Sequence, residues 1–290
     1  MVVPLAPGGG TDIAARVTGQ KLTERWGQQV IVDNRPGAGG SIGGEIVSRA
    51  APDGYTLLVT SPSAVVINPH VFAKLSYDPV KELVPVVMLA PTYYVLITNP
   101  SVPAKSVREL IDFARKNPGK LVLASGGLSS PSDLMGEMFK NLAKIDAVTV
   151  QYKGGGQAIA DTIAGQASMM FADMIAAAPY VGPGRVRQLA VATAKRMPQL
   201  PDLPTLHEAG VPYDAIGWSG MFAPARTPPA VIAKLNTEFR SILKLPDVQA
   251  KLASDGSAFG PNTPESLAVF VRNELAKYAT AVKVSGRRAE

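Results

Sequence analysis

The chain has no cysteine, two histidines and two tryptophans among 290 residues, and no apolar run approaching a membrane span. Each shortage removes a class of function. Without cysteine there is no disulfide, thiolate metal site or cysteine nucleophile, and a cytosolic and a periplasmic setting fit equally well. His70 and His207 lie far apart with no acidic spacing around them, so the pattern of a metal site is missing and no cofactor is called for. Spanning a bilayer takes about 20 apolar residues, which excludes direct insertion. No charged n-region with an apolar h-region precedes the first strand. The 29 Lys and Arg against 23 Asp and Glu give +6, but the charges are scattered and no aromatic-rich basic stripe appears. Nucleic acid is disfavoured, and the excess is either a weak field for small anions or a solvated surface balance. The enzyme fingerprints are missing too. Gly37-Ala38-Gly39 continues into Gly40-Ser41-Ile42 rather than a GxGxxG, no GxxxxGK[ST] occurs, and Gly217-Trp218-Ser219-Gly220 runs into Met221 instead of completing GxSxG. Ser241-Ile242-Leu243-Lys244 matches SxxK in letters only, at the end of an amphipathic helix.

What is present is glycine at strand-to-helix turns. Val2-Val3-Pro4-Leu5-Ala6 leads through Pro7-Gly8-Gly9-Gly10 into Thr11-Asp12 and a helix-compatible stretch. A helix start leaves backbone N–H groups unpaired and partly positive, and glycines let a ligand approach that backbone closely, so the segment reads as an anion cradle or as a plain tight turn. A second glycine loop, residues 36–41, precedes a helix with Ile42, Ile46 and Ala50 at four-residue spacing. With strands expected at 30–32 and 56–60, the front third has the rhythm of βαβ units and a mostly parallel sheet.

A strand over 93–98 leads into Asn99-Pro100-Ser101-Val102-Pro103, a stiffened crossing and a domain boundary. Beyond it come a helix opened by Ser106 with Glu109 at capping-box spacing, and a strand over 121–124. A helix with Leu134, Met138 and Leu142 in register follows, then a strand over 148–152 and a helix around Ile159 and Ile163. Residues 197–212 read as loop, and 218–222 as the strand that returns. Thr227-Pro228 and Thr263-Pro264 each place a capping hydroxyl before a proline; the helices they open carry Ile232, Leu235, Phe239 and Ile242, then Leu267, Phe270, Val271 and Tyr278. Two crossings between α/β lobes, with both termini in one lobe, describe a hinged clamshell with a ligand in its cleft: residues 1–98 and 219–290 in lobe 1, 99–218 in lobe 2.

Two further segments could bind a ligand. In 123–134, Ser130 and Pro131 fit N-cap and first helical position, with Asp133 able to reach back; Ser125 and Ser130 either serve this helix start alone or also offer hydroxyls to a carboxylate. Gln151-Tyr152-Lys153-Gly154-Gly155-Gly156 is a further glycine turn with a phenol and a cation, although exposure is the usual fate of a lysine. Asp173 ends the apolar run 169–172 and either accepts from a ligand or caps a helix.

Residues 4–12, 34–40 and 52–57, together with Tyr152-Lys153-Gly154-Gly155, 203–210, Trp218, Phe222-Ala223-Pro224 and Thr227-Pro228, occur in an order that closely resembles the substrate-binding receptors of tripartite tricarboxylate transporters, the Bug family. The resemblance covers essentially the whole chain. It implies a monomeric, non-enzymatic type II periplasmic solute-binding protein: α/β, with two Rossmann-like lobes joined by two crossover strands. Such a receptor binds a small mono-, di- or tricarboxylate and delivers it to membrane transporter subunits. By position, it implies ligand contact at Leu5, Gly9, Thr11 and Asp12, at Gly127 and Ser130, and at Tyr152, Lys153, Gly154 and Gly155, with Ser61, Ser63 and Asp173 at the cleft edge. Two departures from the family pattern stand out: Asp133 where histidine is common, and Ser129 where glycine is common. An α/β enzyme acting on a carboxylated or phosphorylated metabolite is the alternative from another class, and an accessory sensor subunit would use the same cleft.

Overall fold

Glycine and proline set many of the element limits in the computed structural model, which describes residues 1–213, 215–252 and 262–287. In chain order the elements are β1 (Val2–Val3), α1 (Gly10–Trp26), β2 (Asp33–Asn34), α2 (Ser41–Ser48), β3 (Leu58–Thr60), α3 (Asn68–Val71), β4 (Leu83–Thr98) and α4 (Val107–Lys116). These are followed by β5 (Leu121–Ser125), α5 (Pro131–Ala143), β6 (Ala147–Gln151), α6 (Gly155–Ala164), β7 (Met169–Asp173), α7 (Met174–Val181) and β8 (Arg187–Val191). The chain continues with β9 (Ile216–Pro224), α8 (Pro229–Ile242), α9 (Pro246–Lys251) and α10 (Pro264–Ser285). A short 3₁₀ turn (Ala38–Gly40) and a π turn (Ser63–Ile67) precede α2 and α3.

The chain forms two compact units, Met1–Pro91 with Trp218–Glu290, and Thr92–Gly217. Their limits fall inside β4 and β9, because each of these strands is one continuous stretch that serves both units. In the first unit β1 pairs parallel with β2 and β3, and β3 pairs antiparallel with β9, Thr60 opposite Gly220. In the second unit β5 lies parallel between β6 and β7, and β4 pairs antiparallel with β7 and β8. Parallel strands end at one edge of a sheet, so Ser125, Gln151 and Asp173 share an edge in the second unit, and the loops after β1 and β3 share one in the first. The first core gathers Val3, Ala14, Leu22, Val59, Leu89, Met221 and Phe239. The second is built on Leu96, Leu110, Leu123, Phe139 and Phe171, whose two rings meet edge to face at 5.7 Å.

Several details differ from the sequence reading. β2 forms at 33–34, after the apolar residues 30–32, of which Val30 and Val32 pack beside the first core while Ile31 is exposed. β3 starts at Leu58 and β4 already at Leu83. Ile42 and Ile46 are 47% and 41% exposed, and α2 packs instead through Ser41, Gly43, Gly44 and Val47. The reason is close approach: a Cβ on Gly43 would lie 2.7 Å from Pro4 Cβ, and one on Gly44 would overlap the Tyr77 hydroxyl. That hydroxyl donates to Ala64 O at 2.6 Å. Gly44→Ala is expected to displace Tyr77 and cost about 2 kcal/mol, as overpacking does, despite alanine's better helix propensity; urea denaturation checks this, and a variant as stable as the parent contradicts it.

The face α5 buries is Leu134, Met135, Phe139 and Ala143, with Leu142 turned outward. Ser106 caps α4 as expected, but the Glu109 carboxylate accepts from Lys105 N–H, one residue beyond the cap. Thr227 is no cap: α8 starts a residue later, with Pro228 at the N-cap, and the Thr227 hydroxyl is buried without a partner among the described residues. Thr263 does cap α10, in a reciprocal box with Ser266.

Candidate ligand-binding site

In the first unit, the loop from β1 delivers Gly9 to the N-cap of α1 with extended backbone and no side chain capping it. The first N–H groups of the helix therefore have no intrahelical partner. Thr11, buried in the first turn, places Oγ1 3.2 Å from Ser219 Oγ on β9. Ser61 and Ser63 follow β3 and pair with each other at 2.9 Å, both buried. Leu5 is half-buried beside the first core. Asp12 is otherwise engaged. Its carboxylate accepts from Gly8 N–H at 3.0 Å, Arg16 Nε at 2.9 Å and Asn34 Nδ2 at 2.9 Å. Burial pushes this carboxyl up, yet the hydrogen bonds from Arg16, Gly8 and Asn34 and the Arg16 charge outweigh it and hold it below its ordinary range. Asp12 thus fixes the shape of the loop, with both oxygens committed.

In the second unit the loops after β5 and β6 meet. Ser125 Oγ lies 3.0 Å from Asp133 Oδ1, 2.9 Å from Gln151 Oε1 and 3.3 Å from Gly127 O, and accepts from Gly127 N–H. Gln151 Nε2 donates to Asp133 Oδ1 at 2.7 Å. A hydroxyl has one hydrogen, and three acceptors surround this one, so Ser125 ties the loop together. Ser130 is the N-cap of α5, accepting from Asp133 N–H, while its own N–H goes to Gly127 O. Asp133 therefore does its work with Ser125 and Gln151. Gly127, at φ +117°, packs so tightly that a Cβ there would sit 2.7 Å from Tyr152 O.

The start of α6 has Gly154 at the N-cap and no side-chain cap. Gly154 is buried and Gly155 half-buried. The Tyr152 hydroxyl donates to Asp161 Oδ2 at 2.8 Å, and burial together with that carboxylate pushes it up to about 12. Tyr152 is thus spoken for by α6. Lys153 is exposed, its backbone N–H donating to Gln157. Asp173 ends β7 and caps α7, accepting from Ile175 and Ala176 N–H. Burial pushes its carboxyl up to about 6 against the lowering effect of those two bonds. Among the described residues no group of three or more His, Asp or Glu could hold a metal ion.

The family model described as the tripartite tricarboxylate transporter family receptor matches residues 14–286. The chain belongs to that family. The receptor is similar in structure to the periplasmic binding protein BugD, with a TM-score of 0.93 and 30% identity over 100% of this chain and 98% of the other. It is equally similar to an R. palustris protein solved with adipate: TM-score 0.93, 34% identity, 98% and 96% coverage. MatC from Rhodopseudomonas palustris, solved with bound malate, gives 0.90 and 32% over 97% of each chain. The receptor is therefore a two-lobe α/β protein of a periplasmic solute-binding family, as the motif order implies. Among the described residues no helix is long and apolar enough to cross a membrane.

The two departures from the family pattern have structural readings. Ser129 is buried at φ +63°, a conformation glycine adopts without strain. Asp133 is buried in the first turn of α5 and accepts from Ser125 and Gln151. Sequence reading passed over Ser219, Gly126 and Ser132, whose positions depend on strand pairing and loop packing that no local motif encodes. The one available signal for Ser132 was the serine spacing around the helix start.

Proposed function

We propose that this receptor captures a small organic carboxylate in the periplasm, without chemical turnover, and presents it to the membrane subunits of a tripartite tricarboxylate-type transporter. The observation that carries the reading is the pair of uncapped helix starts, α1 and α6, each opened by a glycine turn in a chain of this family. Uncapped N–H groups and the helix dipole favour an anion. Each unit offers donors of its own: Gly9 and Thr11 in the first, with Ser61 and Ser63 at the same sheet edge, and Ser130, Lys153, Gly154 and Gly155 in the second, where the Gly127 N–H goes to Ser125 Oγ and Gly127 shapes its loop. Leu5 and Tyr152 contribute apolar surface, Asp173 lies at the same sheet edge as Ser125, and Asp12 and Ser125 hold their loops. Adipate and malate, found with two relatives, make dicarboxylates the first compounds to try.

Titration calorimetry and thermal unfolding with adipate, malate, aromatic acids and acidic amino acids test this. A ligand at about 100 times its Kd adds roughly 2.7 kcal/mol of stability to the folded state, which is visible as a raised Tm. Absence of both heat and a Tm shift across the whole panel, or conversion of an acid to product, overturns the reading.

A further inference from the structure

We propose that the carboxylate seat of the second unit is a cradle over Gly126, served by a hydroxyl hydrogen that Ser130 and Ser132 share, so that the donor is the pair rather than either serine. This rests on the functional reading above and assigns roles to Gly126 and Ser132 in it.

The cradle is defined by what a side chain would meet. A Cβ built on Gly126 has as its three nearest neighbours Ser132 Oγ at 2.9 Å, Gly155 N at 3.5 Å and Ser130 Oγ at 3.5 Å. All three are hydrogen-bonding atoms, with no apolar wall among them. Gly155 N belongs to the first turn of α6, where no side chain caps the helix, so its N–H has no intrahelical partner. The missing Cβ leaves room beside donors from two separate loops.

Counting hydrogens supplies the rest. Ser132 Oγ accepts from Gly126 N–H at 2.9 Å, and Ser130 Oγ accepts from Asp133 N–H at 3.1 Å. The two hydroxyls lie 3.0 Å apart, and either can donate to the other. Two hydroxyls carry two hydrogens. One lies in their mutual bond, and the second has no acceptor among the described residues although the two serines are only 7% and 5% exposed. A buried donor without an acceptor is costly, and an anion oxygen in the cradle removes that cost. Because the mutual bond can run either way, the spare hydrogen is available from either oxygen. Ser125 forms the contrast, its one hydrogen being surrounded by protein acceptors.

The test is calorimetry with adipate and malate on the parent, Gly126→Ala, Ser130→Gly, Ser132→Ala and the double variant, each first checked for folding by urea denaturation. Glycine caps nearly as well as serine, so Ser130→Gly spares α5. Gly126 is not held at positive φ, and the atom its new methyl meets most closely is a rotatable hydroxyl, so Gly126→Ala stays folded. Each single serine variant is expected to bind within about threefold of the parent, because the remaining hydroxyl still has its hydrogen. The double variant is expected to lose roughly tenfold to a hundredfold, the range for a hydrogen bond to a charged group, and Gly126→Ala at least as much. A single serine variant as weak as the double assigns the donor to that serine alone and overturns the sharing. Parent-like affinity of folded Gly126→Ala overturns the cradle. Failure of the parent to bind either acid counts against the carboxylate reading itself, and the cradle falls with it.

Discussion

Gly127→Ala is expected to lower the stability of the second unit by about 3 kcal/mol or more and to abolish carboxylate binding. Two costs combine at this residue. A side chain held at φ +117° leaves the regions open to L-residues, at a cost of order 1–3 kcal/mol. The added Cβ would also sit 2.7 Å from the backbone oxygen of Tyr152, an atom that cannot swing aside as a side-chain end can. Tyr152 is itself held to the loop, its N–H donating to Ser125 O at 3.0 Å. Relief must come from moving the loop after β5 away from the loop after β6, the contact that brings the donors of α5 and α6 together. A loss of this size corresponds to a fall in Tm on the order of 10 °C for a chain of this length class. Gly126→Ala is the neighbouring control, free of the φ penalty and meeting a movable hydroxyl. Thermal unfolding of Gly127→Ala within about 2 °C of the parent contradicts the packing argument.

The glycine turns and caps were legible because they are local. Gly9 before α1, Ser130-Pro131 at α5 and Gly154 before α6 depend on backbone geometry within a few residues, and each falls where the sequence places it. The two-lobe class was legible from the order of motifs along the whole chain. What escaped depends on partners distant in sequence. The spacing of Ile42 and Ile46 marks an apolar face, yet Pro4 and Tyr77 come close enough to α2 that only its glycine face fits against them. Asp12 reads as a ligand contact by position, but Asn34, 22 residues on, and Arg16 take its oxygens. Tyr152 is likewise claimed by Asp161, one turn into the helix it precedes. Hydroxyls and carboxylates announce chemistry in a sequence, and whether a neighbour has already satisfied them is a tertiary matter.

Asp173→Asn is expected to stabilise the receptor at pH 7 by about 2 kcal/mol and to remove one component of its pH dependence. The carboxyl titrates near its ordinary 3.8 when unfolded and at about 6 when folded, because burial disfavours its charged form more than Ile175 and Ala176 N–H favour it. A folded-state value raised above the unfolded one means that the native protein binds the proton more tightly. The stability this confers is complete below about pH 4 and is lost as pH rises through 6. Raising the carboxyl from 3.8 to about 6 corresponds to nearly 3 kcal/mol at most, and the partial exposure of Asp173 brings the expectation down to about 2. Asparagine caps a helix as well as aspartate does, so the start of α7 survives while the buried charge disappears. Tyr94, paired opposite Asp173 across β4 and β7, is pushed up by its own burial and then by this carboxylate, and so stays neutral throughout. Carboxyls held low, such as Asp12, contribute the opposite slope to parent and variant alike and cancel in the difference. Urea denaturation of both proteins between pH 3 and pH 7 should give stabilities that converge at the acid end, diverge between about pH 4 and pH 6, and keep a constant separation above that. Parallel curves overturn the assignment. A variant that gains stability yet binds carboxylates more weakly would place Asp173 among the groups whose buried charge this receptor retains for recognition, at a cost to its own stability.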